Sequence, residues 1–290
     1  MILSESVTLK PRYQPQASDT CIEVEIIQFN LWRQMQPAKR LALASAATRG
    51  CRQLALSGIK KRNPQLDSIY LKQEFIKATL GQQFIEIAQL VETKLVMQDP
   101  IWLAAKIGNI LDTLSISYYV GGSIASSAHG EPRSTQDADI AISIRKKQTQ
   151  SLMQAMQSEF YISDIAVEDA LRGRSSSFNV IHLETAIKAD IYLIKPDREY
   201  EKSQLDRRQQ FYPDDRPELT FYICSPEDII LQKLIWYRMS RFQSDKQWRD
   251  ILGVMKLQAD SLDRTYLQHW SSQLNVASEI DRAFFESGLN

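Results

Sequence analysis

The chain has 290 residues, of which 43% are hydrophobic and 24% charged, enough for one large domain or two modest ones around a buried core. This is the composition of a soluble globular protein, not of a disordered chain. Its 35 basic and 35 acidic residues give a formal net charge of zero, which argues against a protein that coats nucleic acid but leaves room for a local basic cleft.

Residues 11–18 are polar and proline-bearing and read as a loose lead-in. From 37 to 59, Leu41, Ala44, Ala47, Cys51, Leu54 and Ala55 recur at helical spacing. Pro37 suits the first turn of that helix, and Lys60-Lys61-Arg62-Asn63-Pro64 closes it. A second helix is expected at 68–80, stopped by Gly81, and a third at 82–96. A helix at 101–114 then leads into short β-like runs at 118–120, 139–144, 178–183, 187–194 and 219–223, separated by helical or loop segments. After Ser225 the pattern is helical again, in three or four helices. The expected organisation is therefore α+β: an N-terminal helical region (1–98), a small α/β core (99–224) and a C-terminal helical bundle (225–290).

Cys21, Cys51 and Cys224 are odd in number and far apart, with no C-x-x-C pair, which argues against a disulfide framework or a structural zinc site. Residues 1–16 lack an apolar stretch followed by a small-residue cleavage site. No apolar run is long enough to span a bilayer, so the expected compartment is the cytoplasm, with no membrane partner.

Three short stretches carry the chemistry. In Tyr119-Val120-Gly121-Gly122-Ser123 a strand ends in two glycines and a helix begins. Glycines there let the backbone approach a ligand, and the unpaired N–H groups of a helix start favour an anion. Ser123 either caps the helix or donates its hydroxyl to a phosphate; taken alone, such a stretch is more often merely a tight turn. In the second stretch, Arg133 precedes Asp137-Ala138-Asp139-Ile140-Ala141-Ile142. Side chains alternate along a strand, so Asp137 and Asp139 share a face, away from Ile140, Ile142 and Ile144. Adjacent carboxylates repel unless a cation intervenes, and their oxygens suit Mg²⁺; an isolated Asp-x-Asp also reads as a solvated loop. The third stretch is Ile187-Lys188-Ala189-Asp190-Ile191, which sets Lys188 and Asp190 together, opposite an apolar face. A mid-strand aspartate is costly unless paired or metal-bound, and Lys188 is itself one available partner.

Together these parts resemble the DNA polymerase β-like nucleotidyltransferase superfamily. The resemblance implies a small mixed β-sheet core and two Mg²⁺ ions held by Asp137 and Asp139, with Asp190 sharing one of them. It also places Gly121, Gly122 and Ser123 at the phosphates of a nucleoside triphosphate. Asp190 would take the proton of an attacking hydroxyl while pyrophosphate leaves.

A narrower resemblance, to bacterial AbiEii-like nucleotidyltransferases of the abortive-infection toxin group, rests on three runs. These are Ser177-Phe178-Asn179-Val180-Ile181-His182 before Asp190, Pro226-Glu227-Asp228-Ile229-Ile230-Leu231-Gln232-Lys233-Leu234, and Gln247-Trp248-Arg249-Asp250-Ile251. It implies that Lys233 and Asp250 join the nucleotide-binding set, with Lys188 as a further phosphate-facing cation. Each has a plainer reading: Lys233 snorkels from a helix whose Ile230, Leu231 and Leu234 are core, and Asp250 pairs with Lys246 at helical spacing; Arg133, counted in the nucleotide-binding set, either contacts phosphate or braces its loop. His129 reads as a helix-end residue, and Trp236, Tyr237, Trp248 and Trp270 as helix packing.

The expected activity is transfer of a nucleoside monophosphate to an acceptor hydroxyl, either on an RNA 3′ end such as that of tRNA or on a protein. The setting implied is that of a toxin with an antitoxin partner, or phage defence. An antibiotic-type small-molecule acceptor, or a non-catalytic nucleotide-binding protein, stays open at this stage.

Overall fold

The computed structural model describes residues 13–90, 95–195, 197–213 and 219–289. Helices α1 (Ile22–Gln34), α2 (Pro37–Arg62) and α3 (Ser68–Thr79) come first, followed by a 3-10 helix (Gln82–Gln89) and α4 (Pro100–Thr113). The mixed part runs β1 (Ser117–Val120), α5 (Gly122–His129), β2 (Asp137–Ser143), α6 (Lys146–Met156), β3 (Phe160–Ile162) and α7 (Asp164–Leu171). It continues with β4 (Ser177–His182), β5 (Ile187–Leu193), α8 (Glu199–Arg207), β6 (Gln209–Phe211) and β7 (Phe221–Ile223). Four α-helices close the described chain: α9 (Pro226–Met239), α10 (Asp245–Gln258), α11 (Arg264–Gln273) and α12 (Ala277–Glu286). The class is α+β.

Local chemistry sets many of these limits. Asp67 accepts from the N–H groups of Ile69 and Tyr70 to start α3, and Asp99 does the same for Ile101 and Trp102 ahead of Pro100 in α4. Ser225 caps α9 through the N–H of Asp228, again with proline at the first helical position. The expected helix at 82–96 is instead 3-10 over Gln82–Gln89, and residues 91–94 lie outside the described residues, as do 11 and 12 of the expected lead-in.

The chain forms two compact units. One comprises 42–124 and 133–224, the other 1–41, 125–132 and 225–290. Residues 42–90 and 95–98 fall in the same unit as the sheet. Ile76 and Ala88 pack on Ala186 in the β4–β5 turn, while Ile87 packs on Ile181 and Leu183. Arg52 reaches the Thr185 carbonyl, and Val96 donates its N–H to the Glu184 carbonyl at 3.1 Å. The helical stretch is apolar toward the end of this hairpin, which explains why it groups with the core.

The sheet has seven strands in the order β3-β4-β5-β2-β1-β7-β6. The β2–β5 and β1–β7 pairs are parallel and the rest antiparallel. One face is fully apolar at its centre: Val120, Ile140, Ile142, Ala189, Ile191 and Val180 are buried. The opposite face of β2 and β5 carries the polar residues.

In the second unit α10 packs against α1, α9 and α12. Glu25 and Lys256, both buried, are 2.8 Å apart, and Tyr13 donates its hydroxyl to the same Glu25 carboxylate at 2.6 Å. The rings of Tyr237 and Trp248 lie 4.9 Å apart, tilted by 34°, and Trp248 donates its indole N–H to Glu286 at 2.7 Å, in keeping with helix packing. His129 is the last residue of α5.

Candidate active site

The polar face is assembled by register. In the parallel β2–β5 pair, Asp137 lies opposite Lys188, Asp139 opposite Asp190, and Ala141 opposite Tyr192. Residues paired across neighbouring strands point to the same side, so Asp137, Asp139, Lys188, Asp190 and Tyr192 share one face. On the other flank of β5, Asn179 of β4 lies directly opposite Asp190. The middle-strand aspartate is therefore on the same side as the other two, not across the sheet from them.

The glycine turn is brought to the same place by β1, which pairs antiparallel with β2 through Val120 and Ile140. Gly121 extends that ladder by donating its N–H to the Asp139 carbonyl at 2.9 Å. Gly122 then turns with φ +55° into α5. A side chain at that position would fail twice. Left-handed backbone is costly for any L-residue, and an added Cβ would stand 1.8 Å from Asp139 Oδ2. The carboxylate of Asp139 thus lies against a strip of backbone that only glycine can provide. Ser123, buried, accepts a hydrogen bond of 2.8 Å from Arg133 Nη2, so Arg133 reaches back to the helix start and also braces the loop through the Ser134 carbonyl. Asp137 is steadied by Thr135, whose hydroxyl donates to the Asp137 carbonyl at 3.2 Å; the Thr135 N–H in turn donates to Thr48 of α2 at 3.1 Å.

Lys188 binds both oxygens of Asp190, at 2.9 and 2.8 Å, and stands 3.6 Å from Asp137 Oδ2. Burial alone would lower its pKa, but the hydrogen bond to Asp190 and the charges of Asp190 and Asp137 outweigh that and raise it. Burial raises the Asp190 carboxyl above the ordinary carboxylate range, and the negative charge of Asp137 adds to this against the opposing pull of Lys188. Tyr192 donates its hydroxyl to Asp139. Its pKa is raised by burial first and then by the charges of Asp139, Asp190 and Asp137, so it is held as a neutral donor. Tyr192 and Asn179 were not singled out in the sequence. The signal for Tyr192 was the same alternation that links 188 to 190.

Lys233 and Asp250 lie in the other unit, where they bind each other: Nζ is 2.7 Å from Asp250 Oδ2 and both side chains are almost wholly buried, at 2% and 4% exposure. Asp250 therefore pairs with Lys233, one helix away, where sequence spacing had suggested Lys246.

Among the described residues, no three His, Cys, Asp or Glu side chains are spaced to hold a metal ion as they stand. The donor chemistry nonetheless fits a hard divalent cation. Three carboxylates share the face, and two of them already converge on one positive charge, the ammonium of Lys188. Among the described residues, too, no helix is long and apolar enough to cross a membrane.

No protein-family model matches the sequence, and comparison with curated proteins finds no match. Solved structures do resemble it. One is an antigenic nucleotidyltransferase-like protein from Paracoccidioides brasiliensis, 18% identical over 63% of this chain and 91% of that one, with a TM-score of 0.40. A second is the antibiotic-resistance factor ANT(2″)-Ia in complex with adenylyl-2″-tobramycin, 13% identical over 60% of this chain and 96% of that one, also with a TM-score of 0.40. The cyclic AMP-GMP synthase DncV of Vibrio cholerae, in complex with a nonhydrolyzable GTP, is 14% identical over 89% of this chain and 68% of that one, with a TM-score of 0.21.

Proposed function

We propose that this protein is a Mg²⁺-dependent nucleotidyltransferase that moves a nucleoside monophosphate from a nucleoside triphosphate to an acceptor hydroxyl. The observation that carries the reading is the in-register pairing of Asp139 with Asp190, with Asp137 on the same face and the Gly122 turn against Asp139. Asp137, Asp139 and Asp190 would hold the metal, up to two ions, whose chemistry is to neutralise charge on the entering and leaving oxygens.

The chain's own groups have separate tasks. The turn at Gly121, Gly122 and Ser123 lines the triphosphate site at a helix start, and Gly122 keeps that approach clear of a side chain, while the Gly121 N–H itself is spent on the Asp139 carbonyl. Arg133, through its bond to Ser123, orients the hydroxyl and adds positive charge at the phosphates. Asp190 takes the proton from the attacking hydroxyl. The acceptor oxygen then bonds to the α-phosphorus as the bond to the bridging oxygen breaks, and pyrophosphate leaves. Tyr192 holds the Asp139 carboxylate in orientation. Lys233 and Asp250 belong to the nucleotide-binding set only as far as the resemblance of their motifs implies.

The same resemblance supports an acceptor hydroxyl on an RNA 3′ end, such as that of tRNA, or on a protein, in a toxin–antitoxin or defence setting. The test is to incubate the full chain with each α-labelled triphosphate, Mg²⁺ and a bacterial lysate. Label should move to RNA or protein with wild type and not with Asp139→Ala. Transfer that is absent from wild type, or equal in the variant, overturns the reading.

A further inference from the structure

Lys188 is built into the carboxylate cluster by the strand register itself. It lies opposite Asp137 across the β2–β5 pair and two residues from Asp190 on the same face. Its ammonium spends two donors on the two oxygens of Asp190 and stands 3.6 Å from Asp137. We infer that Lys188 is an exchangeable counter-ion, holding the cation position between Asp137 and Asp190 in the metal-free protein and leaving it when a divalent ion binds.

The inference rests on the functional reading above and adds a state of the site that the reading alone does not contain. Three carboxylates on one sheet face repel one another, and an ammonium among them relieves that repulsion while no metal is present. A divalent ion needs the same oxygens at about 2.0–2.1 Å and cannot share both Asp190 oxygens with Lys188 in its present pose. Two cations in one such position would also repel. Lysine can vacate it: its charge sits on a flexible four-carbon stem, and Lys188 retains 22% of its exposure. The released ammonium is then available on the same face for a phosphate.

The test is calorimetric titration of the full chain with Mg²⁺ and Mn²⁺, comparing wild type with Lys188→Met and Lys188→Gln. Lys195→Met serves as a control, since it removes an equal charge from an exposed residue just beyond the end of β5. Both Lys188 variants should bind metal about tenfold more tightly, the scale expected when one hydrogen-bonded charged pair no longer has to be broken. The control should stay within about twofold. Equal affinity in all proteins overturns the exchange while keeping the metal site. Equal tightening in the control also overturns it, as a general field effect. Absence of metal binding in every protein removes the metal reading as well. Wild type gives an independent measurement should the variants fail to fold. Acetylation of the Lys188 amine by an N-hydroxysuccinimide ester, read by mass spectrometry, should rise several-fold with saturating Mg²⁺, and an unchanged rate overturns the inference.

Discussion

Asp139 and Asp190 face each other as directly paired residues of two parallel strands, although 50 positions separate them in the chain, as their numbers show. Neighbouring carboxylates in that arrangement are disfavoured by charge, yet both strands also carry buried apolar residues that fix their register. Replacing Asp190 with Asn keeps the shape and removes the proton acceptor that we propose. Turnover is expected to fall by about 10²–10⁴-fold, the usual range for losing a general base, while thermal unfolding stays cooperative. Steady-state kinetics beside a melting curve checks both parts.

Gly122→Ala tests the close approach of backbone and carboxylate. The left-handed φ costs roughly 1–2 kcal/mol for an alanine, and the methyl group would meet Asp139 Oδ2 at 1.8 Å, so strand or carboxylate must shift. Urea unfolding should show the loss of stability. Turnover should fall further than stability accounts for, because the displaced group is Asp139.

Much of this polar face was legible in the sequence, because alternation along a strand assigns side chains to faces. The strands carrying Asp137, Asp139 and Asp190 contain isoleucine and alanine at every second position, so their polar faces could be read directly. Which strands are neighbours could not be read, since nothing local in 137–143 specifies pairing with 187–193. The edge strands β3 and β6 have three residues each, too few for alternation to register, and neither was expected. Helix α1 was missed because charged Glu25 is one of its buried positions, answered only by Lys256 far along the chain. The packing of α2, α3 and the 3-10 helix on the sheet depends on contacts to Thr185 and Ala186 that no short window contains.

The Lys233–Asp250 pair separates structural from nucleotide-facing roles. Lys233→Met alone removes the ammonium from a buried carboxylate and should cost about 3–5 kcal/mol, whereas Lys233→Met with Asp250→Leu should recover most of that. Denaturant titration of the single and double variants measures this. Loss of turnover in a stable double variant would give the pair the nucleotide-facing role implied by its motifs.

His182 makes stability depend on pH. The ring is buried beside Trp102 and Phe160, with Nδ1 3.0 Å from the Thr185 hydroxyl. Burial, with help from the charge of Lys106, pushes its pKa below the ordinary 6.5. Between the folded value and 6.5 the unfolded chain binds more protons, so stability rises with pH through that window. Acidification through it removes stability until both states are protonated. Urea midpoints measured from about pH 7 down to pH 5 should fall in wild type, and should fall less steeply in His182→Gln.

The most direct measurement is anomalous scattering from crystals soaked with Mn²⁺ and a nonhydrolysable triphosphate. The account predicts metal peaks bonded to oxygens of Asp137, Asp139 and Asp190, with the triphosphate lying along Gly121, Gly122 and Ser123. Metal or nucleotide bound elsewhere, with the three carboxylates untouched, would contradict it.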